Sequence, residues 1–139
     1  MMAKPRVSAL DLVEAARRDI TEVTVEEALA ASASGEAVIV DIRDIRELQR
    51  EGRIPGSVHC PRGMLEFWID PQSPYFKPVF GEAKRFIFHC AVDWRSALST
   101  QTAQAMGLSP VAHLKGGFEA WKAAGAPVEA LPEHSRKTQ

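Results

Sequence analysis

The chain has 139 residues, of which 45% are hydrophobic and 25% charged, and a formal net charge of −1. This composition is typical of one globular domain with a proper core. The small net charge gives no field that would recruit nucleic acid or an anionic membrane surface. No apolar run approaches the ~20 residues that a bilayer span needs. Mixed charged sequence rather than an apolar segment follows the N-terminus, so we expect a cytoplasmic protein.

Capping residues predict two helices near the N-terminus. Ser8 is placed as the N-cap of a helix over 9–18, which precedes the regular pattern of the rest of the chain. Thr24 and Glu27 form a capping box that opens a second helix, and this helix is expected to end near Gly35.

Four short apolar runs predict strands over 37–41, 57–60, 85–88 and 111–114. Helices are predicted between and after them, over about 47–50, 61–68, 96–106 and 118–125. This alternation predicts a three-layer α/β fold with a mainly parallel central sheet and helices on both faces. In such sheets, sites form beyond the carboxyl ends of strands, where Asp41, Cys60, Cys90 and Leu114 lie.

We divide the chain into three parts on the same pattern. Residues 1–19 are interpreted as an N-terminal helical extension and residues 20–128 as the main domain. Residues 129–139 form a polar tail that is expected to fray.

Cys90 is the best candidate for a reactive group. It follows a predicted strand, begins a short loop that contains Arg95, and is followed at once by a helix. Inward-pointing backbone N–H groups, the helix N-terminus and the arginine charge all favour the thiolate form of a cysteine. The thiolate is the nucleophile, so we predict a thiol that reacts with an anion or a sulfur electrophile.

The other cysteine, Cys60, is not predicted to be a nucleophile. Cys60 is expected to be a small buried hydrophobe, although a Cys60–Cys90 redox pair stays open. His59 and His89 precede the two cysteines and could in principle complete a zinc site. Neither pair has the usual ligand spacing, so no metal and no cofactor are expected.

Four stretches, in the right order over residues from about 20 to 128, resemble the single-domain rhodaneses, a family of sulfurtransferases. They are Val40-Asp41-Ile42-Arg43 with Glu47, the segment Gly52–His59, the loop Cys90–Ser96, and Leu114-Lys115-Gly116-Gly117-Phe118-Glu119-Ala120-Trp121. The resemblance implies a rhodanese-like fold and a Cys90 persulfide that carries sulfur from a donor, such as thiosulfate or a persulfide, to a thiophilic acceptor.

The resemblance also implies the roles of the loop residues. Those expected to bind the sulfur-containing anion are Ala91, Val92, Asp93, Trp94, Arg95 and Ser96. The Ser96 side chain is expected to cap the following helix rather than to take part in the chemistry. Asp41 and Arg43 could be substrate ligands, but an ion pair that supports the loop is favoured.

Asp93 stands where the family often has glycine, and we expect it to keep the loop closed in a left-handed conformation. Its carboxylate could oppose the thiolate and repel thiosulfate, point outward, or pair with Arg95. We therefore hypothesise weak thiosulfate activity and a less anionic or protein-bound donor. A non-catalytic module that binds an anion or a partner is the alternative. A phosphatase is disfavoured because only four residues separate Cys90 from Arg95, one fewer than in cysteine phosphatases.

Overall fold

A parallel five-stranded sheet forms the centre of the molecule. The computed structural model describes residue 4 and residues 6–132. The strands are β1 (Glu22–Val23), β2 (Ala37–Asp41), β3 (Val58–His59), β4 (Arg85–His89) and β5 (Val111–Leu114). They lie in the order β1-β5-β4-β2-β3, and all paired strands are parallel. The predicted parallel α/β sheet is confirmed, and β1 is the strand that the apolar pattern missed.

Helices cover both faces of this sheet, as the predicted three-layer fold requires. They are α1 (Ala9–Asp19), α2 (Val25–Ala33), α3 (Ile45–Glu51), α4 (Leu65–Ile69), α5 (Trp94–Ala105) and α6 (Gly117–Ala123), with short 3-10 helices at Arg62–Met64 and Pro78–Gly81. Within the described residues, none of the helices is both long enough and apolar enough to cross a bilayer.

Alternating residues of β4 show how the layers are built. Ile87 packs on one face, in a core cluster with Phe118 and Trp121 of α6. Phe86 and Phe88 point to the opposite face and pack in a second cluster with residues of α4 and α5. Because β4 is buried on both sides, its residues form a continuous apolar run rather than an alternating one.

The N-terminal helix α1 is docked on the domain. Its residues Val13 and Ala16 are buried against Ala97 of α5. The Gln104 side chain of α5 also donates a hydrogen bond to the Asp19 carbonyl at 2.9 Å. The predicted N-cap at Ser8 forms, in a capping box with Asp11. Thus α1 packs as part of the folded unit rather than as a loose arm.

Two sequence expectations are corrected by the fold. Helix α5 begins at Trp94, and Asp93 holds the N-cap position, so Ser96 lies inside the first turn and does not cap the helix. The chain is also held at Glu129, where an antiparallel bridge and an ion pair join it to Arg53. Fraying therefore does not begin at residue 129, and residues 133–139 lie outside the described part of the chain.

Candidate active site

Cys90 is the first residue beyond the central strand β4, at the carboxyl edge of the sheet. Its side chain is almost fully buried, with 2% of the residue exposed. The residues Cys90 to Arg95 line a shallow pocket of about 430 Å³. The backbone N–H of Ser96, in the first turn of α5, lies 3.4 Å from the sulfur. The predicted arrangement of a cysteine, a tight loop and a helix N-terminus is thus present.

The glycine pair before α6 holds the loop from behind. Gly117 has φ +59°, and a Cβ atom there would lie 2.5 Å from the Val92 carbonyl oxygen and 2.6 Å from that of Cys90. The N–H groups of Phe118 and Glu119 donate to the carbonyls of Cys90 and Ala91, at 2.9 and 3.0 Å. The carbonyls at the start of the loop therefore face α6, which keeps these negative dipole ends bound to donors.

Asp93 is turned toward α6 and α1 instead of Arg95. One carboxylate oxygen accepts a hydrogen bond from the Gly116 N–H at 2.8 Å, and the other lies 3.9 Å from the Arg17 guanidinium. The predicted alternative of an Asp93–Arg95 pair is therefore wrong. The expected left-handed conformation is also wrong, because Asp93 has φ −139°. Its side chain makes no capping hydrogen bond to α5, so it does not occupy the N–H groups of the first turn.

Arg95 is held at the edge of the pocket by a different acid. Its guanidinium donates two hydrogen bonds to the Glu47 carboxylate, at 2.7 and 3.0 Å. These bonds lower the pKa of Glu47 below its usual value. Because the pair is bidentate, the position of the guanidinium is fixed, but much of its positive charge is already balanced.

Asp41 and Arg43 form a buried ion pair at the carboxyl edge of the sheet, as predicted, but Arg43 reaches on to Gly52 and Phe118 and not to the cysteine loop. Both are inaccessible, and their side chains approach to 2.8 Å. Arg43 also donates to the Gly52 carbonyl at 2.9 Å and lies over the Phe118 ring, 4.1 Å from its centroid. Burial raises the pKa of Asp41, but the bonds from Arg43 outweigh it and keep that pKa below its usual value.

His89 is packed beside this pair and is not positioned as a base toward the sulfur. Burial lowers its pKa, so the imidazole is neutral. Its Nε2 lies 3.5 Å from Asp41 and makes no hydrogen bond among the described residues. The ring stacks on Phe118 with centroids 6.0 Å apart, which indicates a packing role.

Cys60 lies in the core and is chemically different from Cys90. Burial raises the pKa of its thiol to about 12, so it is protonated at neutral pH. Both cysteines are free thiols. In the described part of the chain, the one cluster with metal-ligand geometry contains Glu22, Asp93 and His113, and thus neither cysteine nor the histidines before them.

Sequence reasoning missed a polar chain that reaches the sulfur from the far side of the loop. The Ser96 hydroxyl lies 3.5 Å from the Cys90 sulfur and 2.9 Å from Nδ1 of His113. Nε2 of His113 lies 2.7 Å from the Glu22 carboxylate, which also binds Arg17 at 2.9 Å. The position of His113 near the end of β5 was the available signal, but β1 was too short to reveal Glu22.

Fold and site together define an α/β domain whose central strand delivers a cysteine into a loop at a helix N-terminus. Residues 24–124 match the family model of the rhodanese-like domain. The chain belongs to this family.

Solved structures and a curated protein show the same likeness. RPA3614 of Rhodopseudomonas palustris CGA009, a protein of unknown function and possible tyrosine phosphatase, is 53% identical, with a TM-score of 0.89 over 93% of this chain and 99% of that one. A thiosulfate sulfurtransferase of Pseudomonas aeruginosa is 30% identical, with a TM-score of 0.70 over 93% of this chain and 25% of that one. The mouse thiosulfate sulfurtransferase/rhodanese-like domain-containing protein 3 is 27% identical over 71% of this chain, and the match spans 66% of the mouse protein.

Proposed function

We propose that the protein is a sulfurtransferase that carries sulfane sulfur as a persulfide on Cys90. The observation that carries this proposal is the position of the Cys90 sulfur, which lies at the base of its own loop and accepts a hydrogen bond from the Ser96 N–H. Preorganised donors around a buried sulfur stabilise the negative charge of a thiolate or a persulfide. Membership of the rhodanese-like family supports the same chemistry.

The reaction would proceed in two exchange steps. The Cys90 thiolate attacks the outer sulfur of thiosulfate, the S–S bond of the donor breaks, and sulfite leaves with the electron pair. A nucleophile such as cyanide or a thiolate then attacks the outer sulfur of the persulfide, and Cys90 leaves as a thiolate. The proposal therefore includes ping-pong kinetics. Because this chemistry needs a reduced Cys90, the proposal places the protein in a reducing compartment such as the cytoplasm.

The same loop is less suited to phosphate chemistry. Only four residues lie between Cys90 and Arg95, and the Arg95 guanidinium is already bound on two nitrogens by Glu47. The carboxylate of Asp93, in the same loop, is also engaged, because it accepts a hydrogen bond from the Gly116 N–H and faces Arg17. We therefore expect no turnover of para-nitrophenyl phosphate at rates comparable with sulfur transfer.

The test is the intact mass of the purified protein before and after incubation with thiosulfate. A gain of about 32 Da, one sulfur atom, is expected, with loss of that mass when cyanide is added. Cys90→Ser should show no gain, whereas the control Cys60→Ala should keep it, because Cys60 is buried in the core. The proposal fails if neither thiosulfate nor an uncharged sulfane donor gives the adduct, and a binding module is then the remaining function.

A further inference from the structure

A buried chain of hydrogen bonds links the Cys90 sulfur to a carboxylate outside the pocket. Ser96 and His113 are completely buried. The chain runs from Cys90 through the Ser96 hydroxyl to His113 and ends on Glu22. A buried histidine with a purely structural role needs only hydrogen-bond partners and no link to a nucleophile. His113, by contrast, is connected to the Cys90 sulfur through a single hydroxyl group, that of Ser96.

The hydrogen atoms in this chain can be assigned from its end. A carboxylate can only accept, so the His113 Nε2–H donates to Glu22 at 2.7 Å. In a neutral His113, Nδ1 then lacks a hydrogen and accepts from the Ser96 hydroxyl at 2.9 Å. The Ser96 hydroxyl has one other acceptor, the Asp93 carbonyl at the longer distance of 3.2 Å. Its oxygen is left free to accept from the Cys90 S–H.

We propose that Glu22, His113 and Ser96 form a proton relay that converts the Cys90 thiol to the thiolate. The Cys90 proton passes to the Ser96 oxygen while the Ser96 proton passes to Nδ1 of His113, which leaves a thiolate and an imidazolium. The Ser96 hydroxyl then donates to the thiolate. Glu22 keeps its bond to Nε2 throughout and stabilises the imidazolium, as the acid of a carboxylate–histidine–hydroxyl triad does.

The charges around His113 favour this relay over a metal site. Glu22, Asp93 and His113 offer donor atoms within 4.8 Å of one another. The Arg17 guanidinium lies 2.9 Å from Glu22 and 3.9 Å from Asp93, so the two carboxylates already share a cation. Burial raises the pKa of Glu22, but the bonds from Arg17 and His113 outweigh it and keep that pKa below its usual value, so Glu22 is ionised and can accept from His113.

The relay also gives the N-terminal extension a task. Arg17 lies in α1 and Glu22 in β1, and both precede residues 24–124, which match the family model. Ser96 and His113 lie inside the matched range. Thus Arg17, in the extension, binds the Glu22 carboxylate that ends the relay, and Glu22 itself follows the extension in β1. His113 acts on Cys90 only through Ser96 and is a positioning residue.

The experiment measures the rate at which iodoacetamide alkylates Cys90 across a range of pH, in a Cys60→Ala background. Ser96→Ala and Glu22→Gln should each lower the rate at neutral pH by roughly tenfold, the effect of losing one hydrogen bond to a charged group. At high pH, where a thiol ionises unaided, their rates should rejoin the parent rate. The ultraviolet absorbance of the thiolate should fall in parallel at neutral pH, and Ser96→Thr, which keeps the hydroxyl, should restore it.

Ser99→Ala is the matched control, because Ser99 is buried in the same helix and its hydroxyl has no partner among the described residues. The relay is refuted if the profiles of Ser96→Ala and Glu22→Gln superimpose on that of Ser99→Ala, or if the loss is equal at every pH. A role in turnover rests on the proposed sulfur transfer, but alkylation needs only the thiolate. The relay and the persulfide can therefore fail independently.

Discussion

The close approach of Gly117 to the cysteine loop predicts a specific defect in Gly117→Ala. Alanine would need to keep φ +59°, which costs about 1–2 kcal/mol for an L-residue. Its Cβ would also start 2.5 Å from the Val92 carbonyl oxygen, whereas such contacts are essentially never shorter than 3.0 Å. The loop must therefore shift by at least about 0.5 Å, and overpacking of this kind adds roughly 1–3 kcal/mol.

The control for this variant is Gly35→Ala. Gly35 also has a positive φ, +81°, but a Cβ there meets nothing within 4 Å. Both variants therefore lose stability because alanine is strained at positive φ, but only Gly117→Ala also displaces the carbonyls of Cys90 and Val92. Because folded domains are commonly stable by 5–15 kcal/mol, both variants should remain folded.

Urea unfolding and the rate of persulfide formation from thiosulfate are the two measurements. We expect Gly117→Ala to unfold at lower urea than Gly35→Ala, by the additional 1–3 kcal/mol. Misplacement of a reacting atom on this scale can cost up to about a hundredfold in rate. Gly35→Ala should keep the parent rate. If the two variants are equally stable and equally active, the glycine pair does not position the loop, and the reasoning is wrong.

Two further predictions concern ionisable groups near the sulfur. Because burial lowers the pKa of His89, its imidazole stays neutral in the folded protein, whereas the same imidazole in the unfolded chain takes up a proton below about pH 6.5. The unfolding free energy should thus fall as pH decreases from 7 to 5, by up to about 1.4 kcal/mol per unit from this group, and urea titrations should show a flatter slope in His89→Gln; an unchanged slope would contradict the assignment. Asp93→Asn removes a negative charge but keeps an oxygen to accept from Gly116, so steady-state assays should show kcat/KM for thiosulfate several-fold higher and no change for an uncharged donor. An unchanged thiosulfate value would mean that Arg17 already neutralises this carboxylate.

The position of Cys90 could be predicted from sequence because the signals that place it are local. The short run Arg85–Phe88, rich in apolar residues, favours a buried strand, and a helical pattern follows Cys90 within a few residues. A parallel sheet then requires the cysteine to lie at its carboxyl edge. The predicted start of α5 is two residues too late. Serine is a common N-cap residue, so Ser96 is the expected cap, whereas the residue in that position is Asp93, whose side chain makes no capping hydrogen bond.

The partners of the charged loop residues could not be predicted, because they depend on distant parts of the chain. Arg95 binds Glu47, which is 48 positions away, and His113 binds Glu22, which is 91 positions away. Spacing in sequence carries no information about such pairs unless the topology and register are known. The order β1-β5-β4 brings Glu22 beside His113, and β1 has only two residues.

These pairings bear on which sulfur donor the site would accept. Each arginine near the loop is already bound to an acid, Arg95 to Glu47 and Arg17 to Glu22 and Asp93. A dianionic donor such as thiosulfate would need to compete with these acids for the arginines. The backbone N–H groups at the start of α5 can bind a sulfur atom without the arginines. We therefore expect the site to favour a persulfide or another donor of low charge, since stabilisation of the transferred sulfur by backbone dipoles persists when the arginines are balanced.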